Sequence, residues 1–324
     1  MMAGRAPLRN NERLVYAPMS TRPRVTMPGG ALVAFWHAPN VEHYDYIAPG
    51  GGTPQGRVAY PDLQHYMHRD SGNRVGLWRM LRAVDAFEMP STVSLSLSLL
   101  EEQPEVRDAV LERDWEIMSH GISNLRPLYG LSYDEEDAFF ALSQRLSEAY
   151  CGGRRIKGML GPKVSGTDNT CELLVAHGMA YVADWIHDEQ PRPLRTAAGG
   201  RLVSMPYSFM LNDVPMIHAR SLSGREFIDL AIAQIDRLLR DAEEDGQARV
   251  ACFATHPFLS GQPWFHRYLS EVFAYVRSDD RIRCTTAGEI ADHYIENHYD
   301  EQVAFAARLE SEHLAALTPQ EVSP

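Results

Sequence analysis

Residues 91–120 contain STVSLSLSLL (91–100), PEVRDAVLERD (104–114) and WEIMSH (115–120). The first segment alternates Ser with apolar residues, and this period of two indicates a strand. The second segment opens with Pro, which is common at the first position of a helix, and the third is another short strand. A strand, a helix and a strand in succession predict two parallel strands joined by a helical crossover.

The same alternation continues on both sides of this unit. Further strands are predicted at ALVAFW (31–36), IKGMLGP (156–162), AYVADW (180–185), RLVSMPYS (201–208), RVACFATHP (249–257) and IRCTTAGE (282–289). Helices are predicted at 73–87, 131–153, 167–178, 223–246 and 261–279. Residues 40–68, which include Gly50-Gly51-Gly52, are predicted to form a long functional loop.

Roughly seven such units predict an α/β fold, a deformed (β/α) barrel of about seven parallel strands. An open doubly wound sheet is the alternative, but no glycine-rich nucleotide-binding motif follows the first strand. We expect one barrel domain over residues 31–300, an N-terminal extension at 1–30 and a helical C-terminal tail at 301–324.

Charge and composition restrict the partners and the location. The formal net charge is −12, from 43 acidic and 31 basic residues, which argues against binding nucleic acid or an anionic membrane. No apolar run is long enough to span a membrane, and the N-terminus lacks the apolar core of a secretory signal. The four cysteines show no C-x-x-C spacing and are expected to be reduced thiols. We therefore expect a cytoplasmic protein that acts on a small soluble substrate.

Ionisable residues collect after the predicted strands. In parallel α/β barrels the active site lies at the carboxyl ends of the strands. His120 ends WEIMSH, His256 follows ACFAT, and Glu42 follows the first strand. A histidine here is a candidate metal ligand or general acid–base, and a capping or core role is the alternative. Glu42 and Asp70 are candidate carboxylates that hold a metal or activate water, although loop carboxylates are common.

A second group of residues is predicted to bind substrate. Aromatic side chains could line an apolar pocket or belong to the core. An arginine could clamp a carboxylate or form a surface ion pair. A carboxylate at a strand end needs a partner, either a substrate group or an ion pair. The candidates are Trp36, Arg74 with its neighbour Arg69, Asn124, Pro162, Asp184, Trp185 and Tyr207. Gly121 is expected to let substrate approach the backbone.

Seven ordered segments resemble one family. They are HRDSGNRVGLWRML (68–81), WEIMSHGISN (115–124), GMLGPKVSGTDNT (158–170), YVADWIHDEQP (181–191), MPYSFMLND (205–213), ATHPFLSGQP (254–263) and TTAGEIADHY (285–294). Together they resemble the polysaccharide-deacetylase-like (NodB-homology) superfamily, and within it the cytoplasmic branch of allantoinases and cyclic imide hydrolases. The resemblance implies a deformed barrel, assembly as a homotetramer and hydrolysis of an amide-type C–N bond.

The resemblance also bears on a metal. Sugar deacetylases of this superfamily bind zinc through an Asp after the first strand and an H-x-x-x-H pair. This chain keeps His120 of that pair, has Asn124 at the second position, and has the region His37–Glu42 in place of the Asp. One divalent ion such as zinc could be held by His120 with Glu42 or His37 and with Asn124, but catalysis without a metal is favoured. Branch members usually have an aromatic residue at the position of Ser71, often one at Ser123, and a Trp at Met159. If these positions line the pocket, the pocket is enlarged or reshaped here.

Three functions follow as hypotheses. The first is ring opening of a small cyclic imide or related cyclic amide. In that reaction His120 stabilises the oxyanion, Glu42 or Asp70 takes a proton from water, and His256 assists the leaving nitrogen. The second is deacetylation of a small N-acetylated, sugar-like substrate. The third is a ligand-binding homologue that has lost catalysis.

Overall fold

The computed structural model describes residues 13–46 and 63–317. Within them lies a nine-stranded sheet in the order β6-β7-β5-β4-β3-β2-β1-β8, with β9 also paired to β1. The strands are β1 Val33–Val41, β2 Thr92–Leu95, β3 Glu116–Ser119, β4 Gly158–Met159, β5 Tyr181–Val182, β6 Arg192–Leu194, β7 Leu202–Ser204, β8 Arg249–Thr255 and β9 Ile282–Thr285.

The sheet is parallel except at one edge, where β6 runs antiparallel to β7. One side of β1 pairs with β8 from Val33 to Pro39, and the other side pairs with β9 and then with β2. The far side of β8 bonds to the chain around β6 and β7, through Val250 N to Glu189 O and Ala254 N to Leu211 O, both at 2.8 Å. The sheet is therefore curled, and the predicted deformed (β/α) barrel is confirmed.

Helices cover the outside of this sheet. They are α1 Leu63–Ser71, α2 Leu77–Ala86, α3 Leu99–Glu102, α4 Pro104–Glu112, α5 Tyr133–Tyr150, α6 Thr170–Ala176, α7 Gly224–Asp245, α8 His266–Arg277, α9 Ala287–Asn297 and α10 Tyr299–Leu317, with π-helical turns at Gly72–Gly76 and Val214–Ala219. Capping boxes begin α5 (Ser132 with Glu135) and α7 (Ser223 with Glu226). These reciprocal bonds satisfy backbone donors that a helix start leaves unpaired.

Several predicted boundaries were wrong. The predicted strand at 91–100 ends at Leu95, and its last residues belong to a turn and α3. Part of the predicted loop at 40–68 is the start of α1, while Gly50-Gly51-Gly52 lies outside the described residues. The predicted strand at 282–289 stops at Thr285, where Thr286 caps the unpredicted helix α9.

Strand β1 is buried on both faces, which explains why its first residues, Val33 to Trp36, are continuously apolar. Val33 and Phe35 belong to the core between the sheet and the helices. Ala34, Trp36 and Ala38 belong to a second core that fills the inside of the barrel. Strand β8 alternates in the same way, with Phe253 outside and Cys252 inside.

No helix in the described part of the chain combines the length and the apolar character needed to cross a membrane. The four cysteines, Cys151, Cys171, Cys252 and Cys284, are free thiols.

Candidate active site

Three ionisable side chains from separate strands meet at the carboxyl end of the barrel. Glu42 follows β1, His120 follows β3 and His256 follows β8. The Oε1 atom of Glu42 lies 3.3 Å from Nε2 of His120 and 3.7 Å from Nε2 of His256. All three side chains are less than a tenth exposed. The strand-end rule thus located these residues, and their convergence forms the centre of the site.

The backbone fixes the orientation of His120. Its Nδ1 lies 2.8 Å from the carbonyl oxygen of Leu160, and its own N–H donates to Leu95 O at 2.9 Å. A carbonyl oxygen only accepts, so Nδ1 must carry the proton when the ring is neutral. Nε2 is then the atom that faces Glu42 and can gain or release a proton.

Asp184 supports the Leu160–Gly161 peptide group, whose carbonyl oxygen is bonded to His120. The N–H of Gly161 donates to Oδ1 of Asp184 at 2.7 Å, and the carbonyl of that peptide, Leu160 O, accepts from His120. Desolvation raises the pKa of Asp184 to about 7, against the lowering effects of the Gly161 N–H and His120. Asp184 therefore contacts His120 indirectly, through the Leu160–Gly161 peptide.

His256 is held by a fully buried carboxylate that no predicted role included. Asp213 accepts from Nδ1 of His256 at 2.6 Å, from the His256 backbone N–H at 2.7 Å and from Ser260 Oγ at 2.5 Å. Burial alone would lower the pKa of His256, but the charges of Asp213 and Glu42 outweigh it and raise this pKa above its ordinary value. The arrangement favours a protonated His256 whose Nε2 faces the cavity.

Glu42 is held as an anion. Burial opposes its charge, yet His120, His256 and Arg69 together lower its pKa to about 2. Oε1 also accepts from Nδ2 of Asn124 at 2.7 Å, and the Glu42 carbonyl accepts from Asn73 in the first π-helical turn at 2.9 Å. Asn124, predicted to bind substrate, thus orients the carboxylate. Its Oδ1 is buried and has no hydrogen-bond partner among the described residues.

These groups line one cavity of ≈ 360 Å³. Other side chains from several loops complete its wall. The lining residues are Asn40, Glu42, Tyr44, Arg69, His120, Asn124, Leu160, Lys163, Val164, Tyr207, Phe209, Asn212, Val214, Pro215, Ala219, His256 and Phe258.

Tyr207 is the predicted aromatic that does line the cavity. Its hydroxyl accepts from Nδ2 of Asn40 at 3.1 Å and from Nδ2 of Asn212 at 3.0 Å. Asn40 lies in β1, and Asn212 forms a β-bridge with Ala254 of β8, so the ring is fixed by the barrel itself.

Asp70 and Arg74 lie outside the cavity lining. They form an i,i+4 ion pair across the end of α1, in which the Arg74 side chain is 69% exposed. The predicted role of Asp70 as a base and of Arg74 as a substrate clamp therefore has no support in the geometry. Arg69, one position before Asp70, faces the cavity instead.

Three other predicted substrate contacts pack behind the wall. Trp36 is fully buried in the barrel interior, and its Nε1 donates to Pro206 O at 3.3 Å. Trp185 is half-buried against the outer core. Pro162 packs onto Gly121, where an added Cβ would lie 2.4 Å from Pro162 Cγ. Gly121, at φ 71°, thus admits a proline ring rather than substrate.

The positions at which branch members carry rings do not border the cavity either. Met159 is fully buried in the outer core, and Ser123 is buried with its hydroxyl bonded to Asp45. Ser71 bonds to the carbonyl of His68 at 2.8 Å. None of the three lines the cavity, so the condition for an enlarged or reshaped pocket is not met at these positions.

The residues present do not fit a three-ligand zinc site. Among residues 13–46 and 63–317 no group of three His, Cys, Asp or Glu side chains is arranged to hold a metal ion. Asn124 presents an amide N–H to Glu42. His37 is fully buried between Ser91 and Thr255, and desolvation lowers its pKa to about 3.

Comparison with known proteins agrees with this fold. The chain is 21% identical over 255 residues to a peptidoglycan deacetylase of Helicobacter pylori, covering 69% of this chain and 85% of the relative. The crystal structure of PuuE allantoinase superposes with a TM-score of 0.74 at 22% identity, covering 86% of this chain and 95% of that one.

A probable polysaccharide deacetylase from Pseudomonas aeruginosa PAO1 superposes with a TM-score of 0.73 at 22% identity, covering 85% and 95%. No family model matches the sequence. The resemblance to polysaccharide-deacetylase-like proteins is thereby confirmed in the fold.

Proposed function

We propose that this protein hydrolyses a non-peptide, amide-type C–N bond, and that it opens the ring of a small cyclic imide or related cyclic amide. One observation carries the proposal: the buried carboxylate of Glu42 faces the Nε2 atoms of two imidazoles, those of His120 and His256. The Nδ1 atom of each ring is bonded to a different acceptor, Leu160 O for His120 and Asp213 for His256. The similarity of the fold to proteins described as deacetylases and an allantoinase supports the reaction class.

The first step is attack by water on the carbonyl carbon. A water bonded to both Nε2 of His120 and Oε1 of Glu42 would be oriented by the carboxylate and deprotonated by the imidazole. The geometry favours His120 as the base, where the sequence favoured a carboxylate, because its Nδ1 is bonded to Leu160 O and its Nε2 faces Glu42. The imidazolium so formed faces both Glu42 and the new oxyanion.

The second step is expulsion of the nitrogen. His256 holds a proton on Nε2 because Asp213 and Glu42 raise its pKa, and it gives this proton to the departing nitrogen as the C–N bond breaks. The water oxygen remains on carbon as a carboxylic acid, and the nitrogen leaves as an amide or amine. The ring opens without loss of a fragment.

Two features favour a small ring with an N–H group. The ≈ 360 Å³ cavity lies near the lower end of the range of about 300–1,000 Å³ that is usual for small-molecule sites. The unpartnered Oδ1 of Asn124 is a buried acceptor, and an imide or lactam N–H would satisfy it. Catalysis without a metal is part of this proposal, because Asn124 presents an amide N–H to Glu42 and no group of three His, Cys, Asp or Glu side chains among the described residues is arranged to hold a metal ion.

Deacetylation of a small N-acetylated substrate is the second candidate. The similarity to the H. pylori peptidoglycan deacetylase favours it, and the same base and acid would serve. Acetate release would distinguish this reaction from ring opening, which releases nothing. A ligand-binding homologue without catalysis would bind rings but turn over none.

The test is hydrolysis of a panel (succinimide, glutarimide, dihydrouracil, hydantoin, allantoin and N-acetylglucosamine) by the wild type and by His120→Ala. We expect ring opening of at least one cyclic substrate, and a loss of about 10²–10⁴-fold in kcat in the variant. Undiminished hydrolysis by His120→Ala would refute the role of His120. Acetate release without ring opening would favour the second candidate.

A further inference from the structure

Arg69 is a buried cation without a carboxylate partner. It is 8% exposed and lines the cavity. Its guanidinium carbon lies 3.8 Å from the ring centroid of Phe258 and 5.3 Å from that of Tyr44. Its Nε is buried and makes no hydrogen bond, and no acidic side chain of the described residues forms an ion pair with it. A buried charge is costly unless it is paired, so the guanidinium is a candidate to bind an anionic group of a ligand.

Lys163 brings a second cation to the same cavity. The chain has two lysines, Lys157 and Lys163. Lys157 forms a surface ion pair with Asp292 at 2.6 Å, whereas Lys163 has no ion pair among the described residues and lines the cavity. Lys163 and its neighbour Val164 adopt positive φ angles of 59° and 55°, which are unusual for residues with side chains. Such strain is often retained at functional sites.

We propose that Arg69 and Lys163 form an anion-binding subsite beside the Glu42–His120–His256 centre, and that the substrate ring carries a carboxylate substituent. This inference rests on the proposed hydrolase function and names the class of its substrate. The planar guanidinium matches a carboxylate, since its N–H groups can donate to both oxygens. Lys163 adds a mobile point charge at another part of the wall.

The two aromatic neighbours make Arg69 suited to this task. Phe258 and Tyr44 hold the guanidinium plane without neutralising its charge, so the group is oriented before substrate arrives. The Glu42 carboxylate interacts electrostatically with Arg69 but forms no ion pair with it among the described residues, and it is bonded to Asn124 and faces the two imidazoles. The guanidinium could therefore donate to an incoming carboxylate, and the substrate ring would be held beside the reacting groups.

The test compares dihydrouracil with the same ring bearing a carboxylate at carbon 6. In the wild type we expect kcat/KM for the carboxylated ring to exceed that for dihydrouracil by about 10–100-fold, the value of one or two hydrogen bonds to a charged group. Arg69→Met should abolish this preference, measured as the ratio of kcat/KM for the two rings within each variant, and Arg69→Lys should retain part of it. Lys163→Met should reduce the preference to a smaller extent.

The chain supplies matched controls. Lys157→Met removes the other lysine and Arg74→Met removes the exposed arginine of the same segment, and both should leave the preference unchanged. Equal losses on both rings in Arg69→Met would overturn the proposal, because Arg69 would then serve the chemistry or the packing.

Calorimetric binding of the two rings separates this inference from the proposed function. If neither ring is hydrolysed, tighter binding of the carboxylated ring that disappears in Arg69→Met still supports the subsite. Equal binding of the two rings by the wild type would overturn it, whatever the outcome for hydrolysis.

Discussion

Glu42 provides the charge around which the other groups of the site are arranged. Its carboxylate accepts from Asn124, faces both imidazoles and contributes to the raised pKa of His256. In the proposed mechanism this one anion orients the water and, together with Asp213, keeps His256 protonated. Both proposed roles of Glu42, orienting the water and keeping His256 protonated, depend on the charge of the carboxylate as well as its shape.

Glu42→Gln keeps the shape and removes the charge. We expect kcat to fall by about 10²-fold or more, because the imidazolium of His120 loses its stabilising neighbour. Thermal unfolding measured alongside should show that the variant is folded. Asp70→Asn is the control: that carboxylate is bonded to Arg74 on the surface, and its loss should leave kcat unchanged. An equal loss in both variants would contradict the role given to Glu42.

His256 and Asp213 predict a pH dependence. Because the folded pKa of His256 is raised, its protonated form stabilises the fold. That contribution is complete below the unfolded value of about 6.5 and is lost as pH rises through the folded pKa. Activity should decline over the same alkaline range, since the general acid is then deprotonated.

Asp213→Asn should move the alkaline limb of the kcat/KM profile to lower pH and reduce kcat. Ser260→Ala removes one hydrogen bond to the same carboxylate and keeps its charge, so its profile should hardly move. An alkaline limb that stays in place in Asp213→Asn would show that His256 is not the acid.

Asp184 predicts an effect transmitted through a peptide group. Asp184→Ala removes the acceptor of the Gly161 N–H, so the Leu160 carbonyl should hold the His120 ring less firmly. We expect kcat to fall more than KM rises, together with a shifted or broadened Nδ1 proton resonance of His120. Asp184→Asn, which keeps an acceptor oxygen, should restore most of the activity. A resonance and a kcat that do not change in Asp184→Ala would contradict this positioning role.

The site residues that could be predicted from sequence are those fixed by strand ends. His120, His256 and Glu42 each follow a β-strand directly, and the barrel rule alone places them together. This rule gave Asp213 no role and did not distinguish Arg69 from Arg74. Asp213 lies several residues beyond β7 and Arg69 lies on α1, so their contacts depend on loop paths that no periodicity records.

At the scale of elements, the long helices were predictable because their ends carry a chemical signal. Ser223 with Glu226 begins α7, and Gly246 ends it at a positive φ. Short strands were less predictable, since β4 and β5 have two residues each within longer apolar runs. Helix α9 was missed because its Thr-rich start favours a strand, whereas Thr286 acts as an N-cap.

The turn after β3 predicts a measurable stability difference. An alanine at Gly121 must adopt φ 71° and would also clash with Pro162, while an alanine at Gly130, at φ 74°, meets nothing within 4 Å. Gly130→Ala should cost about 1–2 kcal/mol in unfolding free energy, from backbone strain alone. Gly121→Ala should cost about 1–3 kcal/mol more, from overpacking beside His120. Equal losses in denaturant unfolding would show that the contact with Pro162 is unimportant.

At the scale of the whole molecule, the strands and helices of the barrel form the packed core, and the chain segments after the strands carry the residues of the candidate active site. One face of β1 packs under the helices, the other fills the barrel, and the chain after its last residue supplies Glu42. The architecture was predictable because buried parallel strands have continuous apolar sequences. The substrate was not, because it depends on the side chains of connecting loops around a ≈ 360 Å³ cavity.

The central claim is that Glu42, His120 and His256 hydrolyse a cyclic C–N bond without a catalytic metal. The most direct measurement is hydrolysis of the ring panel by wild-type protein before and after exhaustive chelation, with the metal content of each sample determined by elemental analysis. We predict ring opening at the same rate in both samples, with no stoichiometric zinc. Activity that is lost on chelation and returns when zinc is restored would contradict the claim.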